Sequence, residues 1–455
     1  MFEKDFIWGV ATAAYQIEGA ANQDGKGVSV WDVACQKENV VRNGENANIA
    51  CDHYHHLEED LDLLASLRVK AYRFSIAWTR IFPDGVGAVN ETGVDFYDRL
   101  IDGLIKRGIR PIVTLFHWDY PQALFEKGGW LNEESPKWFA DYAEFVVRRY
   151  GDRVADFTTL NEPQCVLNLG HRTGIHAPCV RYGDLEMARV AYNMLKAHGL
   201  AVRRMRAVAK RPLRISISIV GNAKVPFSSA KEDILAAKNA TFSLDEKESS
   251  DLFWMDIIYK GVVSDIANKG EFCALLEDGD LQLFSEPLDY FCVNMYASNV
   301  VKAVRGGYEV LPKEQGAPMN SLRWNIVPEV LYWGTKFYYE RYQKPIIISE
   351  NGYCGYNFKT INGNVLDFER INFIQRYLLQ VKRAKEEKVD VAGYFYWSFM
   401  DNFEWSHGYD ERFGLIYVDY ETQERTVKAS GEYYRKIIET NGDCLNESIK
   451  YFLRN

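Results

Sequence analysis

Two glutamates stand where apolar runs end. Glu162 lies in Thr159-Leu160-Asn161-Glu162-Pro163, and Glu350 in Ile346-Ile347-Ile348-Ser349-Glu350-Asn351-Gly352. A carboxylate at the edge of a buried strand is costly unless it has partners or a task. Taken singly, either is as readily half of a structural ion pair; taken together they form a chemical tool. A protonated carboxyl can hand its proton to a departing oxygen while an ionised one attacks the neighbouring carbon. Such a pair cleaves an acetal with retention when the two groups lie about 5–5.5 Å apart. Their separation in sequence says nothing about that distance, so the elements that bring them together have to be found.

Eight short runs rich in Val, Ile, Phe and Tyr read as buried strands: Phe6–Ala11, Ala71–Ile76, Ile109–Phe116, Asp156–Leu160, Leu213–Val220, Leu288–Val293, Pro345–Ser349 and Val391–Tyr396. Between them lie segments with helical spacing of apolar residues. Leu57–Leu67, with leucines at 57, 61, 64 and 67, is the plainest; Phe96–Lys106, Pro136–Tyr150, Met187–Ala207, Trp324–Tyr342 and Phe368–Lys388 follow the same pattern. Strand alternating with helix eight times implies an α/β fold, a single-domain (β/α)8 TIM barrel over residues 1–455. An open doubly wound sheet is the competing reading, but the Gly-rich nucleotide turn that such a sheet usually carries after its first strand is missing. A barrel places its active groups at the C-terminal ends of the strands. Polar and aromatic residues follow the runs there: Gln16 after the first, His117 and Trp118 after the third, Asn161 and Glu162 after the fourth, Asn294 and Tyr296 after the sixth, Glu350 after the seventh and Trp397 after the eighth.

Composition narrows the partners. With 47% hydrophobic and 26% charged residues, the chain has the balance of a packed soluble protein. A formal net charge of −9 argues against nucleic acid and against an anionic membrane, both of which call for a basic surface. Aromatics reach 14%; most belong to a large core, but the excess also suits a sugar cleft, which wants flat apolar faces with polar rims. The eight cysteines are scattered without a C-x-x-C pair, which reads as reduced thiols. No signal-peptide stretch follows the N-terminus and no apolar run approaches the ~18 residues of a membrane span, so a cytoplasmic, soluble protein is expected. No HExxH, histidine cluster or nucleotide loop calls for a metal or other cofactor. The composition leaves a homo-oligomer open.

The motifs in order resemble glycoside hydrolase family 1, the family of β-glucosidases, β-galactosidases and 6-phospho-β-glycosidases. The likeness runs from Phe6-Ile7-Trp8-Gly9 and Tyr15-Gln16-Ile17-Glu18-Gly19, through Tyr72–Trp78, Leu115-Phe116-His117-Trp118-Asp119 and the two glutamate motifs, to Asp401-Asn402-Phe403-Glu404-Trp405 and Phe413-Gly414-Leu415. It implies a retaining mechanism with Glu162 as acid/base and Glu350 as nucleophile, supported by Arg73, Asn161, Tyr296 and Asn294. Arg73 is expected beside Glu350, lowering its pKa, and the charge of Glu350 is expected to raise that of Glu162. The resemblance gives Gln16, His117, Trp118, Asn161, Tyr296, Trp397, Glu404, Trp405 and Phe413 to the sugar, and leaves Trp324, His176, His171 and Asn222 as candidates for the aglycone side. The implied partner is a small β-glucoside or oligosaccharide such as cellobiose, with galactoside or fucoside cleavage as a side activity.

Glu404 bears most on the substrate. In this family the 6-phospho-β-glycosidases tend to carry Ser there, followed by Lys and Tyr. A carboxylate would repel a dianionic phosphate and can instead accept from the 4- and 6-hydroxyls. The alternatives are therefore a 6-phospho-β-glycosidase, which Glu404 disfavours, and a non-catalytic sugar-binding protein, which usually lacks one of the two glutamates. Ser349, Met295 and Cys179 stand where Thr, Tyr and Gly are common in the family. Cys165, close to Glu162, is a candidate for sensitivity to oxidation.

Overall fold

The computed structural model describes residues 2–243, 250–264 and 270–449. Eight parallel strands close into a barrel. They are β1 (Ile7–Ala11), β2 (Ala71–Ser75), β3 (Arg110–Phe116), β4 (Asp156–Asn161), β5 (Arg214–Val220), β6 (Phe291–Asn294), β7 (Ile346–Asn351) and β8 (Val391–Trp397). All eight fall inside or within two residues of the expected apolar runs. β1 pairs with both β2 and β8, which closes the ring.

Strands buried on both faces need apolar side chains on both, and the packing divides accordingly. Ile7, Ala71, Ile112, Cys292, Ile347 and Phe395 form a small core inside the barrel. Their alternate neighbours, such as Tyr72, Phe74, Val113 and Ile348, join the larger core between strands and helices. Strict alternation breaks on β4 and on β7, the latter against both of its neighbours. The register slips between Thr158 and Asn161 where β4 meets β5, and between Ile348 and Glu350 where β7 meets β6. A bulge of this kind re-aims the side chains beyond it, and it falls on the two strands that end at Glu162 and Glu350.

The helices follow the expected periodicity. Leu57–Ser66 buries Leu57, Leu61 and Leu64 and carries Glu58, Glu59 and Asp60 in its first turn, where acidic groups suit the helix dipole. Ser135–Tyr150, Asp184–Val208 and Phe368–Glu386 differ from expectation by a few residues at their ends. Two starts are corrected: the helix expected from Phe96 begins at Glu91, and the helix expected from Trp324 begins at Val330. Pro328 would fall in its second turn, where the ring clashes with the preceding carbonyl, so residues 324–329 remain loop and Trp324 is free to face the barrel mouth. Unanticipated elements include the helices Lys231–Thr241, Asp251–Lys260 and Ala429–Glu439, a three-stranded sheet (Val225–Pro226, Val300–Val304, Gly307–Val310) and a hairpin (Ile416–Val418 with Arg425–Val427). No helix among the described residues is long and apolar enough to cross a membrane.

Candidate active site

A cleft of about 530 Å³ opens at the C-terminal end of the strands, and Glu162 and Glu350 both line it. At its base four side chains from four strands interlock. Arg73 on β2 donates from Nη1 to Glu350 Oε1 at 2.6 Å and from Nη2 to Asn161 Oδ1 at 2.6 Å. Asn294 on β6 donates to Glu162 Oε1 at 2.8 Å and to Asn161 Oδ1 at 3.2 Å. Ser349 fixes which way that amide points, because its hydroxyl donates to Asn294 Oδ1 at 2.7 Å. Tyr296 donates to Glu350 Oε2 at 2.7 Å. The Asn294 amide also favours the ionised form of Glu350 by hydrogen bonding. Through Asn294, Asn161 and Arg73 the two carboxyls belong to one hydrogen-bonded network.

The two carboxyls feel different surroundings. Burial pushes Glu162 up to about 7, and the charge of Glu350 pushes in the same direction. Burial raises Glu350 as well, against the expected lowering. The cause is that Arg73, Tyr296 and Asn294 offset its desolvation only in part. With Arg73 and Tyr296 both donating to Glu350, the single charge shared by the pair resides there and the proton on Glu162. Glu162 sits at φ 46° on the turn after β4, a conformation of the left-handed region that a non-glycine residue holds only under constraint. Pro163 follows and opens the next helical turn. After β7, Gly352 lies so close to the Trp397 carbonyl that a Cβ would come within 1.7 Å of its oxygen, so the chain leaving Glu350 can pass there only as glycine.

The walls are aromatic. Trp118 and Trp405 stand 4.7 Å apart between ring centres, and His117 stacks on Trp397 at 5.7 Å. Opposite them Tyr296 and Trp324 meet edge to face at 5.4 Å, with Phe413 beside both. His117 is held neutral by burial, with Arg73 adding to the effect. Its Nε2 accepts from the Asn161 amide at 3.0 Å, which leaves the proton on Nδ1, a buried atom with no protein partner. Glu404 lines the same cleft. Burial raises it to about 8, with Glu350 and Glu411 contributing.

His117, Trp118, Asn161, Glu162, Asn294, Tyr296, Glu350, Trp397, Glu404, Trp405 and Phe413 all reach the cleft, as do Trp324, His176 and Asn222 at its outer part. Gln16 and Arg73 stand behind this surface. Gln16 is fully buried, with its amide nitrogen spent on Asn402, Phe403 and, at 3.3 Å, Glu404, while its Oε1 has no protein partner. His171 does not reach the cleft; its Nδ1 is tied to the Val166 carbonyl at 2.9 Å. Met295 is fully buried, away from the rim. Cys165 does line the cleft, but burial and the neighbouring Glu162 charge hold its thiol well above the ordinary range, the opposite of a reactive thiolate. Leu169, Ile175, Leu322, Ser406 and His407 line it as well. Leu169, Ser406 and His407 sit in short helical turns and Ile175 and Leu322 in loops; none belongs to a periodic pattern, and no sequence signal marked them. Among the described residues no cluster of three or more His, Cys, Asp or Glu could hold a metal ion.

Known proteins place this geometry. Beta-glucosidase A of Thermotoga maritima is 40% identical over 446 residues, covering 97% of this chain and 98% of that protein. A bifunctional beta-D-glucosidase/beta-D-fucosidase of Bifidobacterium breve is 38% identical over 464 residues, covering 96% of this chain and 98% of that one. The solved structure of the Thermotoga maritima beta-glucosidase in complex with glucoimidazole superposes with a TM-score of 0.88 at 39% identity, over 97% of this chain and 99% of that one. The profile described as glycosyl hydrolase family 1 matches residues 1–443, and the chain belongs to that family.

Proposed function

We propose that this glycoside hydrolase cleaves terminal non-reducing β-D-glucosyl residues from cellobiose, short oligosaccharides and aryl or alkyl glucosides, with retention at the anomeric carbon. Glu350 attacks that carbon as Glu162 protonates the leaving oxygen; Glu162 then takes a proton from the water that releases the sugar. The observation that carries this reading is the unequal treatment of two adjacent carboxyls: Arg73 and Tyr296 both donate to Glu350, while Glu162 is pushed up to about 7. When the glycosyl ester forms, the charge of Glu350 disappears and Glu162 becomes the stronger acid, ready to serve as base on the next step.

Asn161 is suited to the 2-hydroxyl, the Nδ1 proton of His117 and the free Oε1 of Gln16 to other ring hydroxyls, and Glu404 to the 4- and 6-hydroxyls. The aromatic walls supply the apolar faces that a pyranose needs. A carboxylate at 404 favours an unphosphorylated sugar over a 6-phosphate, and the fucosidase activity in the name of the Bifidobacterium breve relative fits a side activity on 6-deoxy or galacto sugars. A role in degrading cellulose-derived sugars, a single catalytic domain over the whole chain and a cytoplasmic location belong to the same reading. So does an acidic surface without affinity for nucleic acid.

Proton NMR of a nitrophenyl β-glucoside digest tests the mechanism: β-glucose is expected as the first product, and α-glucose first would refute it. Glu350→Ala is expected to lower kcat/KM by at least about 10⁴-fold with the fold intact.

A further inference from the structure

Glu404 rides on a turn that is fastened from a remote part of the chain. The turn is closed by its own backbone, with Glu404 N–H to the Gly408 carbonyl at 2.7 Å and His407 N–H to the Glu404 carbonyl at 2.9 Å. Gly408 has φ 61° and ψ −131°, a conformation essentially reserved for glycine. A Cβ there would lie 1.9 Å from Glu45 Oε2. The same Oε2 accepts from the Tyr409 N–H at 2.7 Å, and the Tyr409 hydroxyl donates to the Asn46 carbonyl at 2.8 Å. Arg42 adds an ion pair to Asp410 at 2.9 Å. That pair is solvated on both sides and contributes little, whereas Glu45 is half-buried and makes a charge-assisted bond to the backbone itself.

On the cleft side Glu404 receives one long side-chain hydrogen bond, from Gln16 at 3.3 Å. Its reach toward a sugar is therefore set by its backbone. The geometry points to Glu45 as a positioning residue that fixes the reach of Glu404 and thereby the preference for sugars bearing a 6-hydroxyl. Glu45 lies 359 positions from Glu404 and does not line the cleft. The inference rests on the reading of Glu404 as acceptor for the 4- and 6-hydroxyls.

The readout is the ratio of kcat/KM for nitrophenyl β-D-glucoside to that for its 6-deoxy analogue. Glu45→Ala is expected to lower the glucoside value about tenfold and the 6-deoxy value far less, as loss of a hydrogen bond to a charged group would. Glu45→Gln retains an acceptor oxygen and is expected to restore the ratio. Glu45→Asp keeps the charge a methylene short and compresses the ratio without removing a charge from the fold, which covers an insoluble alanine variant. If Glu404→Gln compresses the ratio while Glu45→Ala and Glu45→Asp leave it unchanged, or lower both substrates equally, the positioning role is overturned. If Glu404→Gln itself leaves the ratio unchanged, the underlying reading of Glu404 fails and this inference fails with it.

Discussion

Asp401 and Glu404 are three residues apart on the loop after β8, yet their surroundings are opposite. Asp401 is fully buried and saturated: Lys428 donates to Oδ1 at 2.6 Å, the Gly414 N–H to the same oxygen at 2.9 Å, and Arg412 to Oδ2 at 2.7 Å. Its burial is more than offset by these cations, above all Lys428, and its pKa is lowered. Lys428 answers in kind; burial brings it down to about 7 although Asp401 opposes this. Glu404 faces the cleft with one weak donor and three carboxylates nearby, and burial carries it up to about 8. A buried carboxylate whose oxygens are all taken is a fastening. One that is left short of donors can bind a hydroxyl or carry a proton. The same contrast divides Glu350, ringed by donors, from Glu162.

The largest effect expected from this contrast is on stability. Asp401→Asn strands Lys428 and Arg412 beside a neutral amide, and its unfolding free energy should fall by about 3–5 kcal/mol. Denaturant unfolding followed by tryptophan fluorescence measures this, and an unchanged midpoint would remove the fastening from the account. Glu404→Gln should act in the other direction. A folded-state pKa raised from 4.5 to about 8 means that the group favours folding fully below its unfolded pKa, and that this contribution is lost as pH rises through about 8. Replacing it with a neutral amide should therefore gain on the order of 1–2 kcal/mol at pH 8.5 relative to wild type and nothing at pH 4, while glucoside hydrolysis falls. A gain of equal size at both pH values would sever the effect from ionisation.

Much of this was legible in the sequence because buried parallel strands announce themselves as apolar runs, and the residues at their ends then mark the mouth of the barrel. All eight strands and the cleft positions from His117 to Trp397 followed from that, whereas Glu404, Trp405 and Phe413 came from the family resemblance. The network beneath the surface was not legible, since it is built by register. Ser349 stands out in the sequence only as a replacement for a common Thr, but it orients Asn294 and through it the proton side of the pair. The partners of Asp401 are spread over 27 residues and become neighbours only when the loop folds back. Arg73 was placed correctly beside Glu350, but the size of the desolvation it must offset depends on burial, which a sequence does not display. Cys179 has φ 64°, which explains why glycine is common at that place in the family; the thiol side chain is accommodated there with its backbone in the left-handed region.

Glu162 keeps its proton because it is buried next to the charge of Glu350. Carbon-13 NMR of carboxyl-labelled glutamate, with the Glu162 signal assigned by its loss in Glu162→Gln, follows this directly. In the wild-type enzyme Glu162 should titrate near 7, and in Glu350→Gln, where the neighbouring charge is gone, at a clearly lower pH. A Glu162 that titrates in the ordinary range near 4.3 in the wild type, or at the same pH in both proteins, would contradict it.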